Sequence, residues 1–345
     1  MNSLSSLINK HGLPDILIDH FDNHSQCYAI WEYEEELMVK NDTIFLNNRP
    51  LESKNFLETL QEIIDEWKKN SSFPQVSCVG FVSYSFKNLL YPHINFKNHE
   101  SQSFPQLWFC KPKLIKEYSM DNSKINVDCS LSLLQDIPDL LSYERDINKI
   151  KSHLKNGDAY QINYTNPQIY KSNGTLPFNI YMAIRFKAKP LFGMFLRLKS
   201  FSILSFSPEK FFETKNNRIS TFPIKGSGKR FSDSHLDRES KDKLKNSSKD
   251  KAEHLMIVDL MRNDLGKICK YGSVNVDDLF NVNSYETVHQ MVSCISGELN
   301  LDIKYSDILK ALFPGGSITG APKESAMKII DMLESNPRNI YTGSF

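Results

Sequence analysis

The sequence predicts an α+β fold in which mainly antiparallel sheets carry a cover of helices. β-prone runs separated by short connections recur in both halves of the chain, and short connections favour antiparallel pairing. Longer segments with helical periodicity, at 56–69, 143–154 and 248–265, interrupt these runs. With 345 residues, 40% of them hydrophobic and 24% charged, the chain is long enough to bury a large core.

The composition of the chain argues against several functional classes of protein. Lysine and arginine number 42 against 41 acidic residues, so the net charge of +1 gives no field that attracts nucleic acid or an anionic membrane. Residues 1–7 lack a basic and apolar targeting pattern, and no run is long enough to span a bilayer, which predicts a cytoplasmic protein. The six cysteines are scattered without metal-ligand spacing, which predicts reduced thiols.

In the first third, runs at 26–32, 43–46, 76–85 and 106–109 are β-prone, and 56–69 is helical. A polar stretch at 118–130 then precedes the helical pattern that Gly157 can close. These features predict two domains, 1–135 and 136–345, with a boundary near residue 135.

The second part continues with a strand-like run at 159–165. Further runs at 191–198, 201–206, 211–214 and 218–224 are joined by short connections, which favour an antiparallel meander. Residues 228–250 mix both signs of charge, which predicts a mobile, solvated loop. The helix after it is expected to start at Ser247 or Ser248 and to stop at Gly266.

Lys225 is the first candidate functional residue, in the run Pro223-Ile224-Lys225-Gly226 at the expected end of a strand. A lysine with an apolar flank and little backbone freedom can be held neutral, and a neutral amine is a nucleophile. The alternative is a solvated surface lysine beside a turn, which is the commoner case for a lone Lys-Gly pair.

Two further segments offer polar groups. Glu253 shares a helix face with Ile257 and Leu260, and an inward carboxylate needs a partner such as a cation; the alternative is a carboxylate favoured by the helix dipole. The glycine-rich segment 313–323 can turn backbone N–H groups towards an anion. It lacks the Lys-Ser/Thr of a nucleotide P-loop, so a small carboxylate is the better expectation, and a purely structural turn is the alternative.

Five segments in order resemble the chorismate-utilising enzymes: Tyr160-Gln161-Ile162-Asn163, Ser207-Pro208-Glu209, 223–227, 249–266 and 313–323. The similarity runs from about Tyr143 to the last residue. It implies an α/β sandwich of two facing, mainly antiparallel sheets with helices on the outside, as in anthranilate synthase component I. Residues 1–135 resemble the N-terminal region of that type, and 136–345 resemble the chorismate-binding catalytic domain.

Within that family, the resemblance separates reaction types at two positions. Water-adding members carry a lysine where this chain has Gln161, and ammonia-adding members carry glutamine. Anthranilate synthases read Pro-Ile-Ala-Gly where this chain has Lys225, whereas aminodeoxychorismate synthases read Pro-Ile-Lys-Gly and use the lysine covalently. The chain is similar to the latter, which implies chorismate as substrate and a lysine-bound intermediate.

The resemblance also implies the other site residues. Glu209 matches the general acid or base, and Glu253 matches a ligand of the Mg²⁺ that binds the ring carboxylate. Gly226, Ser227, Thr319, Gly320 and Gln161 match substrate contacts, with Ser227 replacing the usual threonine. Gln290 stands where many members have histidine, and neighbouring His289 is expected to face the other side of its strand. Leu191-Phe192-Gly193 falls at a tryptophan pocket of some relatives, but core packing is the expectation here.

The resemblance is compatible with more than one function. Relatives continue for roughly a hundred residues beyond the region of Phe345, the scale of a small domain's worth of sheet. The chain is therefore expected to be an amino-transferring synthase that lacks this segment, or a silent fragment or amidotransferase-binding subunit. Anthranilate synthase component I is a further alternative. A glutamine amidotransferase partner is expected as the ammonia source, since this chain carries no such nucleophile motif.

Overall fold

The computed structural model describes residues 2–21, 26–53, 55–73, 76–97, 104–119, 131–135 and 140–345. Within them the strands are β1 (Asn2–Ser3), β2 (Ile16–Asp19), β3 (Cys27–Lys40), β4 (Thr43–Leu46), β5 (Arg49–Leu51), β6 (Val79–Val82), β7 (Leu107–Ser119), β8 (Leu131–Gln135), β9 (Gln161–Ile162), β10 (Ile169–Ser172), β11 (Phe192–Arg197), β12 (Ser202–Ser207), β13 (Phe212–Lys215), β14 (Arg218–Thr221), β15 (Ile224–Lys229), β16 (Asn275–Ser284), β17 (Val288–Glu298) and β18 (Gly320–Ala321). The helices are α1 (Leu4–His11), α2 (Phe56–Lys69), α3 (Lys87–Leu90), α4 (Leu140–Asn156), α5 (Pro177–Ala188), α6 (Ser234–Asn246), α7 (Ser248–Gly266), α8 (Tyr305–Leu312), α9 (Gly316–Thr319) and α10 (Lys323–Leu333), with a 3₁₀ turn at Tyr84–Phe86.

The first large sheet joins strands from both parts of the chain. Its strands run in the order β1-β7-β3-β2-β11-β12, with β4 on β3, β5 on β4 and β6 on β7. β1 is parallel to β7, and the other neighbours are antiparallel. β11 and β12 both follow residue 190, so this sheet contains strands from both sides of the expected boundary near residue 135. Residues 136–139, next to that boundary, lie outside the described residues. The division into two domains stays a prediction.

Helices cover this sheet through buried apolar side chains. Leu60 and Trp67 of α2 pack in one core with Leu37 and Val39 of β3. A separate core unites the N-terminal strands with α5 and β11, and its members include Leu17, Phe178, Tyr181 and Phe195. Alternating side chains of a strand point to opposite faces, so Ala29 of β3 packs in one core and its neighbour Ile30 packs in another.

The second large sheet is antiparallel and has β17 at its centre. β14 and β15 pair with successive segments of β17, and β16 pairs along the other edge. Phe222 and Pro223 therefore separate two strands that lie end to end, and the Ser293 N–H still reaches the Pro223 carbonyl at 3.2 Å. Ile257 and Leu265 of α7 pack on this sheet in a core with neighbouring strand residues.

Several predicted elements are confirmed. Helix α2 and strand β4 have the expected bounds, and α7 begins after Ser247, whose hydroxyl accepts the Asp250 N–H at 3.2 Å. Helix α4 extends the predicted pattern, and Gly157 follows it with a φ of 81°. The expected polar stretch at 118–130 and Cys129 lie almost wholly outside the described residues. The cysteines that are described are free thiols: Cys27, Cys78, Cys110, Cys269 and Cys294.

Two structural predictions are wrong. Residues 228–250 are not a solvated loop, because α6 occupies most of them, capped by Asp233 and anchored by Leu244, which is 5% exposed. The expected single meander is also divided, because β12 belongs to the first sheet and β13 to the second. Lys225 consequently lies near the start of β15 and not at the end of a strand. None of the described helices has the length and apolarity needed to cross a bilayer.

Candidate active site

The candidate site lies where the two large sheets meet. Glu209 follows β12 of the first sheet, and Lys225 belongs to β15 of the second. Glu253 comes from the early turns of α7, and Ser317 from the short helix α9. Electrostatic coupling joins Lys225 to both Glu209 and Glu253, so the structure brings the three predicted charged residues together.

A β-bulge presents Lys225. Ile224 pairs with Val292, and the next pair joins Ser227 to Gln290, so two residues of β15 oppose one residue of β17. Gly226 has a φ of +88°, a conformation that side chains other than glycine rarely adopt. A bulge bends its strand and re-aims a side chain, and bulges are frequent beside active sites. Because of this bulge, the Lys225 side chain does not have to follow the regular alternation of side chains between the two faces of the sheet.

Burial shifts Glu209 and Lys225 towards their neutral forms. Desolvation raises the pKa of the Glu209 carboxyl, opposed by the Ser317 hydrogen bond, the Lys225 charge and the Ile224 backbone. Desolvation lowers the pKa of the Lys225 ammonium, opposed by Glu209 and then by Glu253. A protonated carboxyl is a proton donor, and an unprotonated amine is a nucleophile. The pair therefore has the chemistry that covalent acid–base catalysis needs.

Ser317 is a contact that the sequence prediction missed. Its hydroxyl donates to Glu209 Oε1 at 2.8 Å. Thr319, the predicted substrate contact of the same segment, is fully buried and donates its hydroxyl hydrogen to the Gly315 carbonyl at 2.8 Å. Thr319 keeps acceptor capacity only, and its binding role stays a prediction. The available signal for Ser317 was its place beside Gly315 and Gly316, at the start of α9.

Gln161 and Gly320 meet in a small two-stranded sheet. Gln161 pairs with Ala321, and Ile162 pairs with Gly320. A Cβ at Gly320 would overlap the Gln161 carbonyl oxygen, so only glycine allows this approach. Gln161 Oε1 is buried and has no hydrogen-bond partner among the described residues. An unpaired buried amide oxygen is costly, which makes it available to a ligand that donates hydrogen bonds.

Arg338 holds the two segments that carry these residues. Its guanidinium donates to the Asn163 carbonyl at 2.6 Å and to the Ile318 carbonyl at 2.9 Å. Glu334 accepts from the same guanidinium at 2.7 and 2.9 Å and also accepts the Thr165 N–H. Arg338 and Glu334 are both buried, and together they connect the segment after β9 with the glycine-rich turn. Sequence motifs did not single out this pair.

Glu253 offers one hard oxygen ligand. Its side chain is 42% exposed, and Lys249 lies 3.8 Å away. Among the described residues no group of three or more His, Cys, Asp or Glu side chains could hold a metal ion. Magnesium typically takes one or two protein carboxylates, keeps several waters and completes its shell with substrate oxygens. Glu253 fits that pattern as a single ligand, and the predicted Mg²⁺ stays a prediction.

The remaining predicted contacts lie along β15 and β17. Ser227 is exposed and pairs with Gln290, whose Oε1 is buried without a hydrogen-bond partner in the described part of the chain. His289 is fully buried, and its ring contacts Asp237 Oδ1 at 3.0 Å and Ser284 Oγ at 2.9 Å. This confirms that His289 faces away from Gln290.

Close packing surrounds Gly193 of the segment Leu191-Phe192-Gly193. A Cβ at Gly193 would lie 2.8 Å from Tyr181 Oη and 3.0 Å from Asp19 Cβ. Asp19 is fully buried, and its carboxylate forms an ion pair with Arg185 at 2.7 Å and accepts the Tyr181 hydroxyl at 2.6 Å. Gly193 is buried whereas Leu191 and Phe192 are half-buried, so core packing of the whole segment stays a prediction.

These features define an α+β enzyme scaffold with a lysine–glutamate site at the junction of two sheets. Residues 128–345 match the family of chorismate binding enzymes. Because the match covers more than half of the chain, the chain belongs to the chorismate binding enzyme family.

Two curated relatives are informative. The chain is 44% identical over 202 residues to aminodeoxychorismate synthase component 1 of Salmonella typhimurium, which is 59% of this chain and 44% of that protein. It is 32% identical over 280 residues to anthranilate synthase component 1 of Saccharolobus solfataricus, which is 77% of this chain and 66% of that protein. The chain thus spans about half the length of the curated relatives it matches.

A solved structure shows the same fold. Anthranilate synthase component I from Streptococcus pneumoniae TIGR4 superposes with a TM-score of 0.76 at 22% identity, over 93% of this chain and 80% of that one. A likeness at this identity concerns the fold alone. It confirms the predicted α+β class with mainly antiparallel sheets and helices.

Proposed function

We propose that this chain carries the chorismate site of an aminodeoxychorismate synthase component I. The reaction converts chorismate and ammonia to 4-amino-4-deoxychorismate and water, a step towards para-aminobenzoate and folate. The observation that carries the proposal is the half-buried Lys225 on its bulge, whose ammonium is electrostatically coupled to Glu209. Similarity to aminodeoxychorismate synthase component 1 supports it.

In the first half-reaction the neutral Lys225 amine attacks C2 of chorismate. A C–N bond forms at C2, both ring double bonds shift, and the C4–O bond breaks. The Glu209 carboxyl gives its proton to the departing hydroxyl, which leaves as water, and the resulting carboxylate removes a proton from the new secondary ammonium. The directions of both pKa shifts support these starting protonation states.

In the second half-reaction ammonia adds at C4. Both double bonds shift back, and the C2–N bond to Lys225 breaks. Glu209 protonates the departing lysine nitrogen and takes up a proton from the new C4 ammonium, so lysine and glutamate return to their initial states. Splitting one substitution into two lowers the barrier of each step.

The remaining predicted site residues are proposed to orient the reactants. Glu253 is the ligand of a magnesium ion that, when bound, neutralises the ring carboxylate. Gln161 offers an amide without useful basicity, so it favours ammonia and does not activate water, and its unpaired oxygen can accept hydrogen bonds from ammonia. Gly226, Ser227, Thr319 and Gly320 are the remaining proposed substrate contacts.

The ammonia is proposed to come from glutamine through a partner amidotransferase subunit. The similarity to proteins described as component 1 supports a second component. The working location proposed for the pair is the cytoplasm.

Two alternatives differ from this proposal in the product that they predict. Anthranilate synthase is favoured by the similarity that covers 77% of this chain. The residue at 225 argues against it, because an anthranilate synthase needs no amine there. A silent subunit or fragment that binds the amidotransferase is the second alternative, and it would form no product.

The test combines purified chain, chorismate, ammonium and Mg²⁺, with products followed by mass spectrometry. We expect aminodeoxychorismate from the wild type, a chorismate-derived adduct on Lys225, and at least about a 100-fold loss of product with Lys225→Ala. Lys229→Ala, an exposed residue of the same strand, is the matched control.

Each alternative has its own outcome. Anthranilate as product supports the first alternative, and absence of product from every preparation supports the silent subunit. Equal aminodeoxychorismate formation by wild type and Lys225→Ala rules out the covalent lysine.

A further inference from the structure

Helix α9 is too short to be stable by itself. It is a single turn, Gly316–Thr319, and a first helical turn orders several residues for one hydrogen bond. The last carbonyls of any helix lack a donor within that helix, so the carbonyls of this turn depend on donors outside it or on water. Ser317, whose hydroxyl donates to Glu209, lies inside this turn. The position of that hydroxyl therefore depends on groups outside α9.

Arg338 and Asn163 supply donors to the end of α9. The Ile318 carbonyl accepts from Arg338 Nη1 at 2.9 Å and from Asn163 Nδ2 at 3.2 Å. The Thr319 carbonyl accepts the Asn163 N–H at 2.8 Å. Arg338 Nη2 donates to the Asn163 carbonyl at 2.6 Å. The arginine thus holds α9 both directly and through Asn163.

The guanidinium of Arg338 is itself fixed in its plane. Its Nε and Nη2 donate to the two oxygens of Glu334 at 2.9 and 2.7 Å, the bidentate geometry that a planar guanidinium allows. The Tyr84 ring packs on it, with 4.5 Å between the ring centroid and Cζ. Arg338 is 7% exposed and Glu334 is 6% exposed, so water has little access to the pair. A guanidinium fixed in this way directs its donors to the two main-chain carbonyls at one angle.

We propose that Arg338 is a positioning residue of the active site, which holds the main chain at Ile318 and thereby keeps the Ser317 hydroxyl against Glu209. Arg338 acts through Ser317 and needs no contact with the substrate for this role. The inference rests on the proposed function only where it gives Glu209 the role of proton donor. The contacts from Arg338 to Ile318 and from Ser317 to Glu209 are properties of the folded chain.

The first test follows the protonation of Glu209 and needs no activity. The Ser317 hydrogen bond lowers the pKa of the Glu209 carboxyl, so displacement of Ser317 should let that pKa rise. Lys225 also lowers this pKa and is kept in every variant. The protein is prepared with glutamate labelled with ¹³C at the side-chain carboxyl, and the Glu209 signal is assigned by comparison with Glu209→Gln. Its chemical shift against pH gives the midpoint of the Glu209 titration.

The informative variant combines Arg338→Met with Glu334→Gln. The two changes together remove the guanidinium, leave neither charge of the buried pair behind and keep the net charge of the chain. We expect this variant to raise the Glu209 midpoint as far as Ser317→Ala does. Adding Ser317→Ala to it is expected to raise the midpoint no further, because both changes remove the same contact.

Arg185 and Asp19 form another buried arginine–carboxylate pair and provide the matched control. Arg185→Met with Asp19→Asn is expected to lower the melting temperature and to leave the Glu209 midpoint unchanged. Arg338→Lys is the second variant, should the combined one not fold. Lysine keeps the charge beside Glu334 but lacks the planar fork that spans two carbonyls, so the midpoint should rise here too.

Two results of the titration overturn the inference. The first is an unchanged Glu209 midpoint in folded protein that lacks the Arg338 guanidinium. The second is a set of rises that add when Ser317→Ala is combined with the changes at Arg338 and Glu334, since Arg338 would then act by a route other than Ser317.

Kinetics give a second test. We expect kcat for aminodeoxychorismate formation to fall at least about 10-fold in Arg338→Met with Glu334→Gln, because a displaced proton donor is less effective, and KM for chorismate to stay within about 2-fold. An equal loss of kcat in Arg185→Met with Asp19→Asn, at matched folded fractions, contradicts the positioning role. If the wild type makes no aminodeoxychorismate, the proposed function fails and the ¹³C titration still decides the contact.

Discussion

At the scale of single residues, two effects act on the protonation of Glu209 and Lys225. Desolvation favours the neutral form of each residue, and their mutual attraction favours the charged forms. Desolvation raises the pKa of the glutamate and lowers the pKa of the lysine, while their mutual attraction favours the ion pair. A half-buried pair of this kind can lie close to the balance between ionic and neutral forms. Small changes at either residue should therefore alter the protonation of the other.

This coupling gives a prediction for Glu209→Gln. Removing the carboxylate takes away the charge that raises the pKa of Lys225, so that pKa should fall further. The neutral amine then appears at lower pH, and the rise of Lys225 acetylation with pH should move in that direction. Peptide mass spectrometry measures acetylation against exposed lysines of the same sample. Turnover should fall by about 10²- to 10⁴-fold, the usual worth of a general acid.

Controls for this prediction lie on the same chain. Glu253→Gln should move the acetylation profile in the same direction, because Glu253 also raises the pKa of Lys225. Glu213→Gln should not move it, since Glu213 is half-exposed and pairs with Lys210 at 2.7 Å. A shift to higher pH in Glu209→Gln would refute the proposed coupling.

The sequence revealed those site residues whose chemistry is visible in a local motif. Lys225, Glu209 and Glu253 each stand in a recognisable run, and the structure brings them together. Ser317 contacts Glu209, 108 positions away, and Arg338 contacts Asn163, 175 positions away. Their contacts depend on which segments meet in the fold, and no pattern of neighbouring residues carries that information.

At the scale of elements, the bulge depends on Gly226. A Cβ there would lie 3.1 Å from Leu244 Cδ1 and 3.2 Å from Asp250 Cβ, and the φ of +88° would be strained. We predict that Gly226→Ala lowers the free energy of unfolding by about 1–3 kcal/mol and reduces turnover. Urea denaturation and the mass-spectrometric assay measure the two effects.

Gly266 provides the matched control. No described atom lies within 4 Å of a Cβ placed at this last residue of α7. Gly266→Ala should therefore raise stability by about 0.5–1 kcal/mol, since alanine favours helix over glycine. Equal effects of the two substitutions would mean that the bulge does not need glycine.

Helix α6 is an element that the sequence pattern did not predict. It has a single buried apolar residue, Leu244, so apolar periodicity could not indicate it. The Asp233 carboxylate accepts the His235 and Leu236 N–H groups, and Asp237 accepts from Arg230 and lies against His289. The Arg230 guanidinium is the main cause that lowers the pKa of Asp237 to about 2. Capping and tertiary hydrogen bonds thus stabilise a helix whose composition is that of a loop.

At the scale of the whole molecule, the two large sheets share packing. β2 pairs with β11, and Leu17 and Phe195 belong to one core, which joins the N-terminal strands to the later part of the chain. Phe211 packs against a core of the first sheet and against the core of the second. Local sequence patterns predicted many of the individual strands. They could not predict how the two sheets pack together, because strand order depends on pairing between distant segments.

The shared packing predicts one cooperative unfolding transition. All three tryptophans, Trp31, Trp67 and Trp108, report on the first sheet and α2, and Cys269 reports on the core of the second sheet. Tryptophan fluorescence and Cys269 labelling, resolved by peptide mass spectrometry, should give the same urea midpoint. Two separated midpoints would instead indicate domains that unfold independently.

The bulge has an evolutionary consequence. The register of β15 is set by the pairs at Ile224 and Ser227 and by the backbone of Gly226, so the fold makes little demand on the side chain at 225. An alanine at this position should leave the scaffold intact while it removes the nucleophile. Exchange of one amino acid at position 225 can thus redirect the chemistry of this scaffold without a new fold.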